Sequence, residues 1–200
     1  MHDYFDKTYV TGWSENEIKK RPERELFFEE FVHQIKHLPK TSLSILEIGS
    51  GPGFLAERLL TSCSIKRYFL FDLSPFMLEL SLKRLARFTD KEIHYNNGDF
   101  KKPDWFRSLP KDFDYIVSLQ AIHEVGNVKE ITRVCKNLNQ LLKPSGLILL
   151  TDIVKSVRYK KAERLTATEY LQVLQSAGFQ NSQAILTKKD LSFFRGYRLD

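Results

Sequence analysis

Cysteine is scarce in this chain. Cys63 and Cys135 are the two among 200 residues. They stand far apart in no metal-ligand spacing, which reads as two buried small hydrophobes within helices rather than a disulfide. Long apolar runs are missing too. Stretches such as Leu147-Ile148-Leu149-Leu150 are only a few residues long, against the roughly 20 that a bilayer crossing requires, so no membrane span is expected. The opening Met1-His2-Asp3-Tyr4-Phe5-Asp6 carries acid where a secretory leader has base followed by an apolar run, and the chain is expected to be cytoplasmic. Histidine forms no mixed cluster with cysteine. His33 and His37 are four apart, but no further ligand stands near them, so no metal site is expected. Repeats, low-complexity tracts and linkers are absent.

What remains is an ordinary globular composition. Hydrophobic residues make up 42% and charged residues 28%, too apolar for a disordered chain, and the length suits one domain with an appended cap. The 31 basic and 25 acidic residues leave a net charge of +6, a mild excess that makes a nucleic-acid partner an unfavoured reading. Lys155, Arg158, Lys160, Lys161 and Arg164 gather in one short segment, and Lys19-Lys20-Arg21 forms a second run. Each reads first as a solvated face. The functional alternatives are a border for an anionic small substrate and a surface for nucleic-acid phosphates.

The hydrophobic periodicity alternates. Residues 15–37 carry a helical spacing interrupted by Pro22 and closed by Pro39. Apolar runs at 45–48, 68–71, 113–119 and 146–151, with a weaker one at 92–95, read as strands. Between them lie helical patterns with legible ends. Ser74-Pro75 pairs an N-cap with a first-turn proline. An apolar stripe from Val128 to Leu142 stops at Pro144 and Gly146, and Thr166-Ala167-Thr168-Glu169 matches a capping box whose helix Gly178 ends. Strands alternating with helices predict a doubly wound α/β sheet, mostly parallel. Residues 182–187 and 191–197 are joined by a connection too short for a crossover helix, so they predict an antiparallel hairpin at or near one edge.

Open parallel sheets bind ligands at the carboxyl ends of their strands, and the informative residues collect there. Glu47-Ile48-Gly49-Ser50-Gly51-Pro52-Gly53-Phe54 follows the first strand. Its alternate glycines permit a tight turn and close approach of the backbone to a ligand. A pyrophosphate fingerprint requires glycine where Phe54 stands, Pro52 removes a donor, and no Gly-Lys-Ser/Thr occurs anywhere. Glu47 adds negative charge that suits a cationic or amine-bearing ligand. Asp72, 19 residues beyond Gly53, is placed to accept both hydroxyls of a ribose, with Leu73 offering an apolar face to a purine. Asp99, in Gly98-Asp99-Phe100, is placed to accept an exocyclic amine, with a turn or cap role as its alternative.

The ordered set of Glu47-x-Gly49-x-Gly51-x-Gly53, Asp72, Gly98-Asp99-Phe100, Phe113-Asp114-Tyr115-Ile116-Val117 and Leu141-Leu142-Lys143-Pro144-Ser145-Gly146 resembles the motifs of class I S-adenosylmethionine-dependent methyltransferases. The resemblance covers residues 43–154, and Ser145 stands where many members have a second glycine. It implies a Rossmann-like sheet of seven strands ending in the hairpin. It also implies S-adenosyl-L-methionine as cofactor and S-adenosyl-L-homocysteine as product. Gly49, Gly51 and Gly53 would line the methionine portion with Glu47 and Ser50 beside them, Asp72 would hold the ribose, and Asp99 and Phe100 would flank the adenine. Leu73, Met77 and Gln120 complete the expected cofactor set. The domain proper is expected over 41–200, preceded by a helical lid or cap over 1–40.

The loop Ser118-Leu119-Gln120-Ala121-Ile122-His123-Glu124-Val125 lacks the Asn/Asp-Pro-Pro-Tyr/Phe tetrapeptide of exocyclic-amine methylases of nucleic-acid bases. It is similar instead to the histidine-bearing loop of small-molecule members. His123 is the candidate general base, since imidazole accepts a proton at neutral pH; capping the next helix or bonding the backbone is its structural alternative. Tyr4, Tyr9 and Trp13 form an aromatic cluster suited to a lid, supporting a sulfonium by cation–π contact, or to simple packing of an arm. Residues 155–165 are the other candidate wall. The expected reaction is in-line methyl transfer to a small-molecule O, N or C nucleophile. The alternatives are an RNA, DNA or protein methyltransferase, or a non-catalytic cofactor-binding scaffold.

Overall fold

The structure, a computed structural model, describes residues 3–36, 42–155 and 164–199. The Pro39 helix stop, His37 and the basic residues Arg158, Lys160 and Lys161 lie outside the described residues. The chain divides into two compact units, Met1–Gly98 and Asp99–Asp200.

In the first unit, α1 (Lys7–Lys20) and α2 (Arg24–Lys36) are separated by a break that contains Pro22. The sequence pattern starts the helix at 15, whereas the structure starts it at Lys7. Asp6 explains the difference: its carboxylate accepts the Tyr9 N–H at 2.7 Å, satisfying one of the donors that a helix start leaves orphaned. A buried ion pair, Arg24 to Glu17 at 3.0 Å, ties the two helices. Three strands follow with helices between them: β1 (Leu43–Ile48), α3 (Phe54–Ser62), β2 (Ile65–Asp72), α4 (Pro75–Leu85) and β3 (Glu92–Asn97). β1 is buried along its whole length, as a strand covered on both faces must be. It pairs parallel with β2, which pairs parallel with β3. Ser74 caps α4 and Pro75 opens it, as the sequence predicts. Cys63 departs from its expected place. It is the half-buried C-cap of α3 rather than a residue within the helix, because α3 ends at Ser62.

The second unit holds β4 (Phe113–Leu119), a single 3₁₀ turn (Ile122–Val125), α5 (Val128–Leu141), β5 (Leu142–Ile153), α6 (Ala167–Ser176), β6 (Phe179–Lys188) and β7 (Leu191–Arg198). α5 buries Ile131, Val134, Cys135, Leu138 and Leu141, a spacing of three to four that makes one apolar stripe. Each large aliphatic side chain there contributes about 1.5–3 kcal/mol by leaving water. The Thr166–Glu169 capping box of α6 is formed in both directions. β4 and β5 run parallel, β5 and β7 antiparallel, and β6 and β7 make the antiparallel hairpin.

Across the sheet the strand order is β3-β2-β1-β4-β5-β7-β6. This is the mostly parallel seven-stranded α/β arrangement with a C-terminal antiparallel hairpin that the sequence leads one to expect. Among the described residues no helix is long and apolar enough to cross a membrane.

Candidate active site

In the first unit the glycine loop is fully bonded to its own framework. Gly49 and Ser50 donate their N–H groups to the Phe71 carbonyl at 2.8 and 3.2 Å, and Gly53 donates to Ser50 at 3.2 Å. Gly51 donates to Oδ2 of Asp72 at 2.7 Å. Every backbone N–H of residues 49–53 is therefore committed, Pro52 having none. A pyrophosphate would find no donor along this stretch, which strengthens the case against a dinucleotide. Gly49, Gly51 and Gly53 all have positive φ, the conformation that glycine adopts without cost. A Cβ built on Gly51 would meet nothing within 4 Å, so the loop turns an open face outward. Ser50 lies beneath it, its hydroxyl buried with no hydrogen-bond partner among the described residues.

Asp72 ends β2 with its carboxylate oriented by two backbone donors, Gly51 on Oδ2 and Ser74 on Oδ1 at 2.9 Å. Burial raises its carboxyl above the ordinary aspartate value, against the pull of those N–H groups. Glu47 does not present the negative charge expected of it. It is buried and accepts a hydrogen bond from the Tyr68 hydroxyl at 2.7 Å. Burial raises its carboxyl, the Tyr68 bond opposes, the Asp72 charge adds, and the result is about 8. At neutral pH Glu47 is mostly a neutral acid. Leu73 is half-buried, and Met77 is buried in the first turn of α4.

Of the N-terminal aromatics, Tyr4 is tied to the segment that follows Asp72. Ser74 Oγ donates to the Tyr4 carbonyl at 2.5 Å, and Lys7 pairs with Glu79 of α4 at 3.0 Å. Tyr4 meets Tyr9 edge to face, and Trp13 lies under the Arg24 guanidinium.

In the second unit, Asp99 accepts the Lys101 N–H at 2.8 Å, forming the turn that was its structural alternative. Arg133 of α5 donates to the Lys101 carbonyl at 2.9 Å and so braces that turn. Phe100 is buried, edge to face with Trp105. Gln120 follows β4 with φ of 57°, a left-handed conformation unusual for a side-chain-bearing residue. Its N–H donates to the Thr151 carbonyl at 2.7 Å.

His123 lies in the 3₁₀ turn after β4, buried, and its ring is held from both sides. Nδ1 pairs with Oδ1 of Asp152 at the end of β5, and Nε2 lies 2.8 Å from Oε1 of Glu124. The His123 backbone N–H also donates to Oδ2 of Asp152 at 2.8 Å. His123 therefore caps no helix: Asn127 caps α5. Burial alone lowers the imidazole pKa. The charge and hydrogen bond of Asp152 and the hydrogen bond to Glu124 outweigh it and raise the ring to about 9. Glu124 is held down to about 2, first by its bond to His123. The resting ring is an imidazolium between two carboxylates. Once Glu124 turns away and the Nε2 proton is lost to solvent, the Asp152 contact keeps the remaining proton on Nδ1 and leaves Nε2 as an acceptor, which is the arrangement of a general base with an orienting acid.

Residues 46–148 match the family model of a methyltransferase domain. The chain belongs to that family. The non-reducing polyketide synthase prhL of Penicillium brasilianum is 31% identical to this chain over 120 residues, covering 58% of the chain and 5% of the synthase. The chain therefore spans about 5% of the length of the curated relatives it matches. Among solved structures, the CMeT domain of the citrinin polyketide synthase aligns with a TM-score of 0.68 at 18% identity, covering 83% of this chain and 49% of that one. Magnesium protoporphyrin IX methyltransferase (ChlM) of Synechocystis PCC 6803, solved with bound SAM, gives 0.69 at 14% identity, covering 89% and 81%. These likenesses carry the class I fold.

Three residues around His123 are not singled out by the sequence patterns: Asp152, Glu124 and Tyr170. Asp152 does leave a signal, a lone acid closing an apolar run, as Asp72 closes β2. Tyr170 leaves none. In a helical stripe it looks like any core aromatic, and only the fold reveals that its hydroxyl reaches Asp152.

Proposed function

We propose that this methyltransferase uses S-adenosylmethionine to methylate a small-molecule acceptor whose nucleophilic atom must first lose a proton, with His123 as the base and Asp152 as its orienting partner. The observation that carries the reading is the buried contact of His123 Nδ1 with Asp152, which directs Nε2 outward to where Glu124 now stands. The cofactor fits the donor set: an open-faced loop that a Cβ on Gly51 would obstruct, the orphaned Ser50 hydroxyl beneath it, and the oriented carboxylate of Asp72. Gly49, Ser50, Gly51 and Gly53 take the methionine portion, with Glu47 beneath them. Asp72 holds the ribose, and Leu73, Met77, Asp99, Phe100 and Gln120 serve the rest. When bound, the cofactor supplies an electrophilic methyl group.

The residues of the chain do the remaining work. Alignment and exclusion of water alone contribute on the order of 7–11 kcal/mol in well-oriented displacements. A buried base is needed most where the acceptor is a carbon acid or a hydroxyl. Kinship with polyketide synthases, and fold likeness to a protein described as a carbon methyltransferase, favours carbon. Arg164, its Nη2 4.0 Å from Glu124, offers a cation to an anionic acceptor once Glu124 turns away. The N-terminal arm bearing Tyr4, Tyr9 and Trp13, docked on the loop that carries Asp72, serves as the lid, with residues 1–40 as the cap of a domain over 41–200.

The test uses β-dicarbonyl compounds, with phenols as a second panel, and isotopically labelled S-adenosylmethionine. His123→Asn is expected to lower transfer by about 100-fold or more and to leave S-adenosylhomocysteine affinity unchanged. A wild-type rate in that variant removes His123 from the chemistry.

A further inference from the structure

Asp152 is gripped by more than the imidazole. Its Oδ1 accepts from His123 Nδ1 and from its neighbour's backbone, the Ile153 N–H, at 2.8 Å. Its Oδ2 accepts the His123 backbone N–H at 2.8 Å and the phenolic O–H of Tyr170 at 2.6 Å. Tyr170 is fully buried on α6, and its ring stacks on Phe194 of β7 with centroids 5.0 Å apart and planes 20° from parallel. Packing of the ring thus fixes where the hydroxyl points. An O–H···O⁻ bond of this length is charge-assisted, about twice as strong as a neutral one.

We infer that Tyr170 is a positioning residue for the His123 base: its hydroxyl fixes the rotation of the Asp152 carboxylate and draws negative charge away from the oxygen that faces the imidazole. The inference rests on the reading of His123 as the base. Without the Tyr170 donor, Oδ2 of Asp152 would keep only the His123 backbone N–H, and the carboxylate would hold the imidazolium more firmly still. Tyr170 shares that charge and eases the loss of the Nε2 proton. The groups facing the pair are Cys135 from α5, Tyr170 from α6, and Glu124 with Arg164 and Lys101 on the outer side of the ring. Burial, with the Asp152 charge added, pushes the Cys135 thiol up to about 12 and holds the Tyr170 phenol well above its ordinary value. Both stay neutral while His123 titrates. A hydroxyl that only fills its own hydrogen-bonding need would affect melting and leave that titration alone.

The experiment follows the His123 ring nitrogens by NMR as pH is varied, in the free full chain, which needs no acceptor. Tyr170→Phe keeps the ring and its stacking. The His123 midpoint is expected to rise by at least about half a unit, a threefold gain in proton affinity. An unchanged or lowered midpoint overturns the inference. 3,5-Difluorotyrosine at position 170 keeps the bond and strengthens the donor, so it is expected to move the midpoint down. If Tyr170→Phe does not fold, this second arm decides, and no shift overturns the inference. The outcome is read apart from His123→Asn: a wild-type transfer rate there refutes the base and leaves the titration result standing.

Discussion

At Nε2 of His123 the carboxylate of Glu124 stands at 2.8 Å, the place that the proposed mechanism gives to an acceptor's proton. Replacing Glu124 by Gln removes one of the two charges that stabilise the imidazolium. The His123 midpoint should then fall from about 9 by about one unit or more, seen in the ring-nitrogen NMR titration. A midpoint that stays put would show that Asp152 alone sets it. Asp72→Asn tests the proposed cofactor loop. The amide keeps one acceptor where the carboxylate serves both Gly51 and Ser74, and S-adenosylhomocysteine affinity by calorimetry should weaken by about 1–3 kcal/mol. The glycines, Asp72 and His123 are legible in the sequence because each sits in a short local pattern. Asp152 and Tyr170 are not, since their contacts join separate elements: Asp152 reaches His123 across 29 residues of chain, and Tyr170 reaches Asp152 across 18 and Phe194 across 24.

Among the elements, Arg84 of α4 is the clamp on the glycine loop. Its Nε donates to the Pro52 carbonyl at 2.8 Å, Nη1 pairs with Glu57 at 3.1 Å, and its guanidinium lies 4.1 Å from the Phe54 ring centroid. Arg84→Met keeps the apolar stem and removes the fork. S-adenosylhomocysteine affinity should fall several-fold with helix content by circular dichroism unchanged; an unaltered affinity would make the clamp dispensable. Element ends follow legible chemistry where a cap is explicit, as at Ser74-Pro75 and at Thr166 with Glu169. The start of α1 is harder to read. Thr8, Tyr9, Val10 and Thr11 are strand-formers by propensity, and of these four Val10 alone is fully buried, so no apolar stripe announces a helix before residue 15. β5 likewise begins at Leu142, ahead of the expected residue 146, because Leu142 pairs with Phe113 before a register shift that sets Leu147 opposite Tyr115.

For the molecule as a whole, two buried groups set a pH dependence of the same sign. His123 is raised from an ordinary 6.5 to about 9 and Glu47 from an ordinary 4.5 to about 8. A raised folded-state pKa contributes stability that is complete below the unfolded value and lost as pH climbs through the folded one. The melting temperature should therefore decline between about pH 5 and 9, and Glu47→Gln should flatten the part of that decline that ends near 8. An equal decline in the variant would remove Glu47 as a cause. Thermal shift with S-adenosylmethionine, S-adenosylhomocysteine and NAD should raise melting for the first two only, since a ligand that binds the native state alone stabilises it. The mostly parallel α/β class and the antiparallel final hairpin were accessible from strand–helix alternation and the short last connection, whereas the count of seven strands came with the family resemblance and the strand order is a property of the fold. The acceptor was not accessible, because it is set by side chains that converge from different elements.

The turn after β1 has its final shape in the free protein, every amide from Gly49 to Gly53 already spoken for by Phe71, Asp72 or Ser50. A guest arriving there meets a finished mould and has no backbone to set in order, so entropy lost on association comes from the guest and from whatever closes over it. Encounter and capture at this corner should be fast, and any slow phase in binding belongs to another part of the chain.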